Sequence, residues 1–480
     1  SRGLGDVYKR QGVRTDSPLA AEARRGVLEF LLTSHPLDCP ICDQAGECKL
    51  QEYSNDYGQI EGRYEEKKTK KGKNLSIGPR VNLDQERCVL CGRCVRFMRD
   101  IMHDEVLTMS QRGTYNAITV YPGRELDSNY SLNTVDLCPV GALTSKDFRF
   151  KMRVWFLKET KTIDVDCGTG TNITLWTRED RVYRITPRPN DAVNSCWMPD
   201  SHRLNYKYIN SPQRIPQPVI RTDAGAPHRP ATWEPALASA AEAFKRISPD
   251  KIAIIASGRM TNEELYMVRH LAAQIGTDKM DIVPRTGESD GMLISADRNP
   301  NTNGAKLVLG IEPGSRLDAI REGVRNGSVK AVLALGEDLT APEAGFTPED
   351  LKKLDYLFMI AHSANETGRH ADLVLPGVTY AEKFGTMINV AGRIQRLNRA
   401  IRPVGYSRDD WQILRDITVA LGGNPALKDF SSALDILTVM STEYEELNGL
   451  TWGSIGDGGR PILETGVTIP VVERERNQSR

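Results

Sequence analysis

The stretch HPLDCPICDQAGEC, residues 35–48, packs four candidate metal ligands into one short loop. They are His35, Cys39, Cys42 and Cys48. A C-x2-C spacing lets two thiolates reach different corners of one metal centre, which favours a four-iron, four-sulfur (4Fe-4S) cluster. The competing interpretation is a zinc ion held by three cysteines and one histidine, although zinc sites usually separate two ligand pairs by a longer stretch. Structural thiols without a metal are the third alternative.

A second cysteine run lies in RCVLCGRCVRF, residues 87–97, and a remote Cys-Pro pair completes it. The four thiols are Cys88, Cys91, Cys94 and Cys138. Three closely spaced thiolates and a distant cysteine before proline are typical of ferredoxins. In two-cluster ferredoxins the fourth cysteine of each run binds the other cluster. Because this chain has no second run of that kind, we expect Cys138 to complete the same 4Fe-4S cluster.

The placement of the cysteines and the overall composition limit the class of protein. Seven of the nine cysteines precede residue 140, and the other two are Cys167 and Cys196. Closely spaced thiols in a chain of 480 residues favour metal ligation in a reducing compartment over a secreted disulfide framework. Basic and acidic residues balance at 63 each, so nothing global indicates nucleic acid or an acidic membrane surface. No apolar run approaches the ~18–20 residues of a membrane helix, so we expect a soluble chain.

The first ligand loop should follow a helix. Ser17 and Pro18 resemble an N-cap and a first helical residue, and apolar residues then recur at helical spacing up to Leu32. The segment EEKKTKKGK, residues 65–73, predicts a solvated loop, with partner binding as the alternative. Residues 1–11 lack any period that leads into the rest, so we interpret them as a foreign scar or a disordered terminus.

Beyond about residue 160 the chain alternates short apolar runs with helical patterns. The apolar runs are Lys251–Ser257, Ala331–Leu335, Leu357–Ala361 and Leu373–Leu375. The helical candidates begin with a capping box at Thr261 and continue at 315–326, 348–354 and Asp409–Leu421. This alternation predicts an α/β domain with a parallel sheet and right-handed crossovers.

Four stretches together resemble the large iron–sulfur subunit (G type) of respiratory complex I, NADH–quinone oxidoreductase. They are HPLDCPICDQAGECKLQEYSNDYG (35–58), RCVLCGRCVRF (87–97), LCPVGALTSKDFRFKMRVW (137–155) and ADLVLPGVTYAEKFGTMINVAGRIQRL (371–397). The resemblance covers about residues 12–450. It implies α+β ferredoxin-like iron–sulfur modules followed by a large α/β molybdopterin-oxidoreductase-like domain with a parallel sheet.

The resemblance also implies a division into four parts. These are an iron–sulfur domain with one His and three Cys ligands (12–75), a ferredoxin-like four-iron domain (76–155), a small β-rich domain with a degenerate third cluster site (156–215) and the large α/β domain (216–480). The family carries a two-iron (2Fe-2S) ferredoxin domain upstream of the histidine. No cysteine precedes Cys39, so we expect that domain to be missing from an N-terminally truncated sequence.

Carried over residue by residue, His35, Cys39, Cys42 and Cys48 match the family's cluster with one histidine ligand. Cys88, Cys91, Cys94 and Cys138 match its all-cysteine cluster. Some members hold a third four-iron cluster through C-x2-C-x3-C and a later cysteine. In DVDCGTGTNI, residues 164–173, only Cys167 falls on a ligand position, while Asp164 and Thr171 replace two others and Pro199 the last. The resemblance therefore implies a lost third site, with Cys167 and Cys196 structural.

Relatives of the large domain bind molybdenum through pterin cofactors, and no cysteine after Cys196 is present to bind the metal. The resemblance therefore implies no molybdopterin, which makes Gly385-Thr386 and Gly392-Arg393 turn and packing residues. The implied function is to relay single electrons from an NADH-oxidising flavin subunit toward quinone through two 4Fe-4S clusters. The chain would be enzymatic only within the complex, and no catalytic side chain of its own is expected.

The implied partners are other peripheral-arm subunits of complex I: the flavin and NADH-binding subunit and the quinone-side iron–sulfur subunits. Contact with the membrane would pass through them, on the cytoplasmic side of a bacterial inner membrane or on the mitochondrial matrix side. Two alternatives stay open. One is the iron–sulfur subunit of an NAD-linked formate dehydrogenase or hydrogenase, and the other is a zinc-bound scaffold subunit.

Overall fold

The computed structural model describes residues 14–221 and 226–478, so the segment interpreted as a scar, residues 1–11, lies outside it. The chain divides into two compact units between Leu157 and Lys158. We call them the N-terminal unit and the C-terminal unit, and each is described by itself. Among the helices that the structure describes, none combines the length and the apolar composition of a membrane-spanning segment.

The N-terminal unit consists of short elements connected by loops. Its helices are α1 (Pro18–Leu32), α2 (Lys49–Tyr57), α3 (Arg93–Arg96) and α4 (Asn133–Leu137). Its strands are β1 (Leu75–Ser76), β2 (Val81–Leu83), β3 (Leu107–Ser110), β4 (Ala117–Val120) and β5 (Leu143–Ser145). The predicted first helix is confirmed, because the Ser17 hydroxyl accepts a 3.2 Å hydrogen bond from the Ala20 amide and Pro18 opens α1.

The sheet register explains how the two distant parts of the second cysteine set meet. Strands β1, β2 and β5 form an antiparallel sheet in which Leu83 pairs with Leu143. Cys88 follows Leu83 by five residues, and Cys138 precedes Leu143 by five. Because antiparallel strands run in opposite directions, equal offsets from a paired position bring both cysteines to the same end of the sheet.

The C-terminal unit begins with an antiparallel sheet and continues into a layered α/β fold. Its strands are β6 (Lys158–Ile163), β7 (Asn172–Arg178), β8 (Arg181–Pro187), β9 (Val219–Ile220), β10 (Arg229–Pro230), β11 (Ile252–Ala256), β12 (Met280–Ile282), β13 (Ala331–Leu335), β14 (Tyr356–Ala361), β15 (Leu373–Pro376), β16 (Gly385–Ile388), β17 (Arg393–Leu397) and β18 (Arg460–Pro461). Its helices are α5 (Asp200–Arg203), α6 (Trp233–Arg246), α7 (Asn262–Ile275), α8 (Thr302–Leu309), α9 (Leu317–Asn326), α10 (Pro348–Leu351), α11 (Glu366–His370), α12 (Asp410–Ala420), α13 (Ala433–Glu443), α14 (Trp452–Ile455) and α15 (Pro470–Gln478).

The predicted parallel sheet is confirmed. Its order is β10-β9-β15-β14-β13-β11-β12, and all pairings among β11 to β15 are parallel. Every residue of β11 is buried because both faces of the sheet are covered: Ile252 and Ile254 belong to one apolar cluster, and Ala253 and Ile255 to the other. The antiparallel edge formed by β9 and β10 has only two residues per strand, and the sequence pattern did not predict it.

The capping box and the helical patterns in the sequence also predicted helices of this unit. The capping box at Thr261 is present, because its hydroxyl accepts from the Glu264 amide and the Glu264 carboxylate accepts from the Thr261 amide. The helices predicted at 315–326 and Asp409–Leu421 are found as α9 and α12. The one predicted at 348–354 is shorter, ending at Leu351.

Candidate metal centres

The first candidate centre surrounds a cavity of about 140 Å³ after α1. Its lining includes all four predicted ligands, His35, Cys39, Cys42 and Cys48. A 3₁₀ turn spans Cys39–Ile41, and Cys48 is the N-cap residue of α2. Burial raises the pKa of the Cys48 thiol, and the amides of Leu50 and Gln51 at the start of α2 oppose that rise.

Gly141 closes one wall of the first cavity. A Cβ atom at this position would collide with Cys42 Sγ, and it would lie 3.1 Å from Gln44 Cβ. The backbone therefore lies closer to Cys42 Sγ than a residue with a Cβ atom would allow, which requires glycine.

The imidazole of His35 suits metal ligation. Its Nδ1 atom is buried and has no hydrogen-bond partner among the protein atoms. Burial lowers the pKa of His35, the positive charges of Arg87 and Lys68 act in the same direction, and Asp38 opposes them. A metal-binding histidine must be neutral, so the surroundings favour the form that binds.

Part of the lysine-rich segment 65–73 lies beside the first centre. It is a loop, as predicted, but its lysines are not all solvated. Lys68 Nζ donates to the carbonyl oxygens of Leu32 (2.5 Å) and Thr33 (3.1 Å) at the end of α1. Lys73 Nζ forms an ion pair with Glu86 at 2.8 Å. The segment therefore fixes positive charge near the first centre. The lysine-rich composition by itself did not predict this role.

Arg87 connects the two ligand sets. Its guanidinium donates to Asp38 in the first loop at 2.8 and 3.3 Å and pairs with Asp84 at 3.3 Å. The side chain is only 6% exposed, and the next residue is Cys88 of the second set. A buried bidentate contact of this kind fixes orientation more than it adds stability.

The second candidate centre is lined by the predicted thiols of Cys88, Cys91, Cys94 and Cys138 and leaves a smaller cavity, about 20 Å³. Two residues of the ligand loop adopt positive φ, Leu90 at 55° and Gly92 at 72°. For leucine this conformation is strained, and such strain is concentrated at functional sites. The turn brings Cys88, Cys91 and Cys94 to one side.

The thiols of the second centre are held in an apolar setting. Burial raises the pKa of Cys94 to about 12 and that of Cys138 to about 11. Neighbouring thiolates act in the same direction on both pKa values, whereas the amides of Leu143, Val140 and Ala142 oppose the rise at Cys138. A positively charged metal centre would reverse this balance, because coordination deprotonates a thiol.

One short segment contacts both centres. Cys138 belongs to the second, the carbonyl oxygen of Pro139 lies 3.7 Å from Cys48 Sγ of the first, and Gly141 abuts Cys42 of the first. Cys48, Val140 and Ala142 share one apolar cluster, against which Cys88 and Cys138 pack. Both centres therefore lie against the same short stretch of backbone.

The expected remnant of a third cluster site also has a definite geometry. Asp164 and Cys167 come together with His202, whose ring Nδ1 lies 2.6 Å from Asp164 Oδ2. Cys196 and Pro199 are not part of this group. The sequence pattern did not identify His202. Two features of the sequence could have indicated this group. Asp164 and Cys167 form a D-x2-C pair in a hairpin turn, and His202, which follows them, is one of only seven histidines in the chain.

Comparison with known families places both centres in iron–sulfur regions. Residues 24–63 match the model "NADH-ubiquinone oxidoreductase-G iron-sulfur binding region", and residues 78–144 match "NADH-quinone oxidoreductase subunit 3, ferredoxin-like domain". Residues 157–207 match "NADH-ubiquinone oxidoreductase NDSU1/NuoG-like, 4Fe-4S domain", and residues 296–419 match "Molybdopterin oxidoreductase". The fold and these regions define an iron–sulfur protein with a molybdopterin-oxidoreductase-like domain.

Individual relatives narrow this class. The 78 kDa subunit of mitochondrial NADH-ubiquinone oxidoreductase from Candida albicans is 30% identical, over 88% of this chain and 74% of its own length. The G-type subunit of NADH-quinone oxidoreductase from Rickettsia felis is 28% identical, over 85% of this chain and 77% of its own. Among solved structures, acetylene hydratase from Pelobacter acetylenicus aligns with a TM-score of 0.46 at 10% identity, over 63% of this chain and 74% of its own. The chain belongs to the family that comprises the bacterial G-type subunit of NADH-quinone oxidoreductase and the mitochondrial 78 kDa subunit.

Proposed function

We propose that the chain relays single electrons within NADH–quinone oxidoreductase through two 4Fe-4S clusters. The first would be held by His35, Cys39, Cys42 and Cys48, and the second by Cys88, Cys91, Cys94 and Cys138. The observation that carries the proposal is the segment Cys138–Gly141, which contacts both ligand sets. Clusters supply the one-electron chemistry, and the protein supplies position, hydrogen bonds and exclusion of water.

The spacing of the centres supports transfer between them. Three residues of fully extended chain span at most about 11 Å, which bounds the distance from the Cα atom of Cys138 to that of Gly141. The two ligand sets are closer still at Pro139, the residue after Cys138, because its carbonyl oxygen lies 3.7 Å from Cys48 Sγ. Electrons tunnel efficiently over such distances, so this chain could join the two clusters without any moving part.

The two clusters would differ in potential. Replacing one anionic thiolate by the neutral imidazole of His35 makes the first site one charge less negative, which favours its reduced state. The positive charges of Arg87 and Lys68 act in the same direction, and the carboxylates of Asp38 and Asp84 oppose them. As a separate part of the proposal, the all-cysteine cluster lies on the main path of electrons, with the histidine-ligated one beside it.

The large domain would act as a structural part without molybdopterin. In support, a Cβ on Gly385 would lie 2.7 Å from Thr261 Cβ, and the Thr386 amide and hydroxyl both donate to Glu263 at 2.8 Å. Such packing leaves these residues engaged with α7. The four-part division by sequence, at 75, 155 and 215, stays part of the proposal.

The partners we propose are the flavin and NADH-binding subunit on one side and the quinone-side iron–sulfur subunits on the other. The site of action would be the cytoplasmic face of a bacterial inner membrane, reached through those partners, with the mitochondrial matrix face as the alternative.

Anaerobic metal analysis with EPR tests the cluster assignment. The purified full-length chain, reconstituted with iron and sulfide, should hold about eight of each and give two distinct signals on reduction. Stoichiometric zinc without iron would instead make the chain a zinc-bound scaffold. Molybdenum in the sample would favour the formate dehydrogenase type.

A second experiment tests the role of His35. His35→Cys adds one negative charge to the first site, so the potential of one cluster should fall while that of the other stays unchanged. His103→Cys is the matched control, because His103 is exposed in the same unit and lines neither cavity. Two unmoved potentials in the His35 variant would show that His35 is not a ligand.

A further inference from the structure

The most compact group of potential metal ligands in the described residues lies in the C-terminal unit, apart from both proposed clusters. One ligand atom each from Asp164, Cys167 and His202 falls within 4.8 Å of the others. All three residues are buried, with relative exposures of 3%, 0% and 7%. We propose that this trio binds a single Zn²⁺ ion.

The spacing of the ligand atoms distinguishes one ion from a cluster. Ligands of one tetrahedral zinc ion at 2.0–2.3 Å from the metal lie roughly 3.3–3.8 Å from one another, within the 4.8 Å limit that this trio meets. His202 Nδ1 and Asp164 Oδ2, which are 2.6 Å apart, would separate to that spacing when the ion binds. Ligands of a four-iron cluster bind separate irons and lie farther apart. No three of the eight proposed cluster ligands, all of which the structure describes, come within the same limit.

The chemistry of the donor set favours zinc over other common cations. A thiolate, an imidazole and a carboxylate form a mixed set that suits a borderline-soft ion, whereas magnesium and calcium prefer oxygen ligands alone. The carboxylate and the thiolate together also balance the two positive charges of the ion. Charge balance is required at a site as deeply buried as this one.

Three elements supply the ligands from fixed positions. Asp164 directly follows β6, and its amide donates to the Thr171 carbonyl oxygen at 2.8 Å, continuing the ladder between β6 and β7. Cys167 lies in the loop that joins these strands, and His202 lies on α5. A zinc ion would therefore connect the loop to α5 and restrain both, which is the action of a structural zinc site.

Without a metal, Asp164 and His202 pair with each other at 2.6 Å, so the unsatisfied atom of the site belongs to the neighbouring Thr171. Cys167 Sγ lies 3.7 Å from the Leu293 carbonyl oxygen, which already accepts a 2.6 Å bond from the Thr169 hydroxyl. Thr171 Oγ1 is also buried, and it has no hydrogen-bond partner among the protein atoms. Thr171 faces Asp164 across the hairpin, so its hydroxyl can bond a water in the fourth position of the ion.

Zinc counting on the full-length chain tests the proposal. The protein is loaded with iron and sulfide, exposed to zinc, and then treated with a chelator that removes loosely bound metal. Wild type should retain about one zinc per chain, and both Cys167→Ala and His202→Gln should lose that equivalent. Cys196→Ala is the matched control, because it removes the other cysteine of the same unit and should keep the zinc.

Cobalt makes the assignment specific to the thiolate. Co²⁺ in place of zinc should give a thiolate-to-cobalt charge-transfer band that is present in wild type and in Cys196→Ala and absent in Cys167→Ala. Circular dichroism of each variant establishes that it is folded. Asp164→Asn serves as a second probe of the site and should weaken zinc retention at least tenfold.

Two results would overturn the site. Equal zinc retention in wild type, Cys167→Ala and His202→Gln would leave Asp164 and His202 as a plain hydrogen-bonded pair. Loss of about four irons in Cys167→Ala would instead indicate a cluster at this position. Neither result depends on the two proposed clusters, since their ligands are unchanged in every variant.

Discussion

The cores of the two units are built from different kinds of side chain. In the N-terminal unit, one cluster of buried residues contains Leu28, Leu50 and the candidate ligand Cys48, and two further candidate ligands, Cys88 and Cys138, pack against it. In the C-terminal unit, apolar side chains cover both faces of a seven-stranded sheet. Candidate ligands are thus part of the packing of the N-terminal unit, whereas the sheet of the C-terminal unit is packed by apolar side chains, and a bound metal contributes its binding free energy to folding only where its ligands lie. We therefore expect metal removal to affect the two units very differently.

The largest effect should come from removing a buried ligand of the second centre. In Cys94→Ala we expect loss of one cluster, about half the iron, together with loss of the cooperative unfolding of the N-terminal unit. The thermal transition of the C-terminal unit should stay where it is. Iron analysis and limited proteolysis measure the two effects. A protease-resistant N-terminal unit in iron-free Cys94→Ala would contradict a metal-dependent core.

A backbone substitution should give a more selective effect. Gly141→Ala places a methyl group against Cys42 Sγ, so either the ligand or the segment after Cys138 must shift. We expect the EPR signal of the histidine-ligated cluster to be lost or altered, with the second signal retained. Gly62→Ala is the control, because a Cβ at that position meets no atom within 4 Å. Identical spectra for both variants would mean that Gly141 does not confine the first cluster.

The smallest of the three effects concerns pH rather than metal, and it belongs to the C-terminal unit. Burial raises the pKa of Glu263 to about 7, against the opposing hydrogen bonds from Thr386. Because the folded pKa lies above the ordinary value of 4.5, the folded state holds this proton more tightly than the unfolded state does. Stability from this group is fully present below pH 4.5 and is lost as the pH rises toward about 7.

Glu263→Gln should remove that dependence, which amounts to on the order of 3 kcal/mol at most. The measurement is the thermal midpoint of the C-terminal unit at pH 5 and pH 7.5, with Glu234→Gln as the control on a helix of the same unit. A midpoint difference between the two pH values that is the same in wild type and Glu263→Gln would contradict a buried, protonated Glu263.

Sequence patterns were most informative where local chemistry is specific. The ligand spacing predicted that His35, Cys39, Cys42 and Cys48 lie together, and all four line one cavity. The capping box at Thr261 predicted the start of α7. Apolar runs predicted the parallel strands because strands buried on both faces have no polar alternation.

Features that depend on tertiary contacts were not predictable in this way. The role of Lys68 arises only when the loop 65–73 folds back onto the end of α1. His202 joins Asp164 through the docking of α5 against a hairpin turn. The closeness of Gly141 to Cys42 depends on strand register. In each case the partners are distant in sequence, so no local pattern encodes the contact.

The wall that Gly141 supplies to the first cavity has a consequence for biosynthesis. Gly141 follows Cys48 by about ninety residues, so at ordinary rates of translation the first ligand set emerges from the ribosome roughly 5–20 s before its own wall does. During that interval the thiols of Cys39, Cys42 and Cys48 lack their final enclosure. Iron delivered then would meet an open loop, so faithful loading should come after the chain has passed residue 145 and β5 has paired with β2.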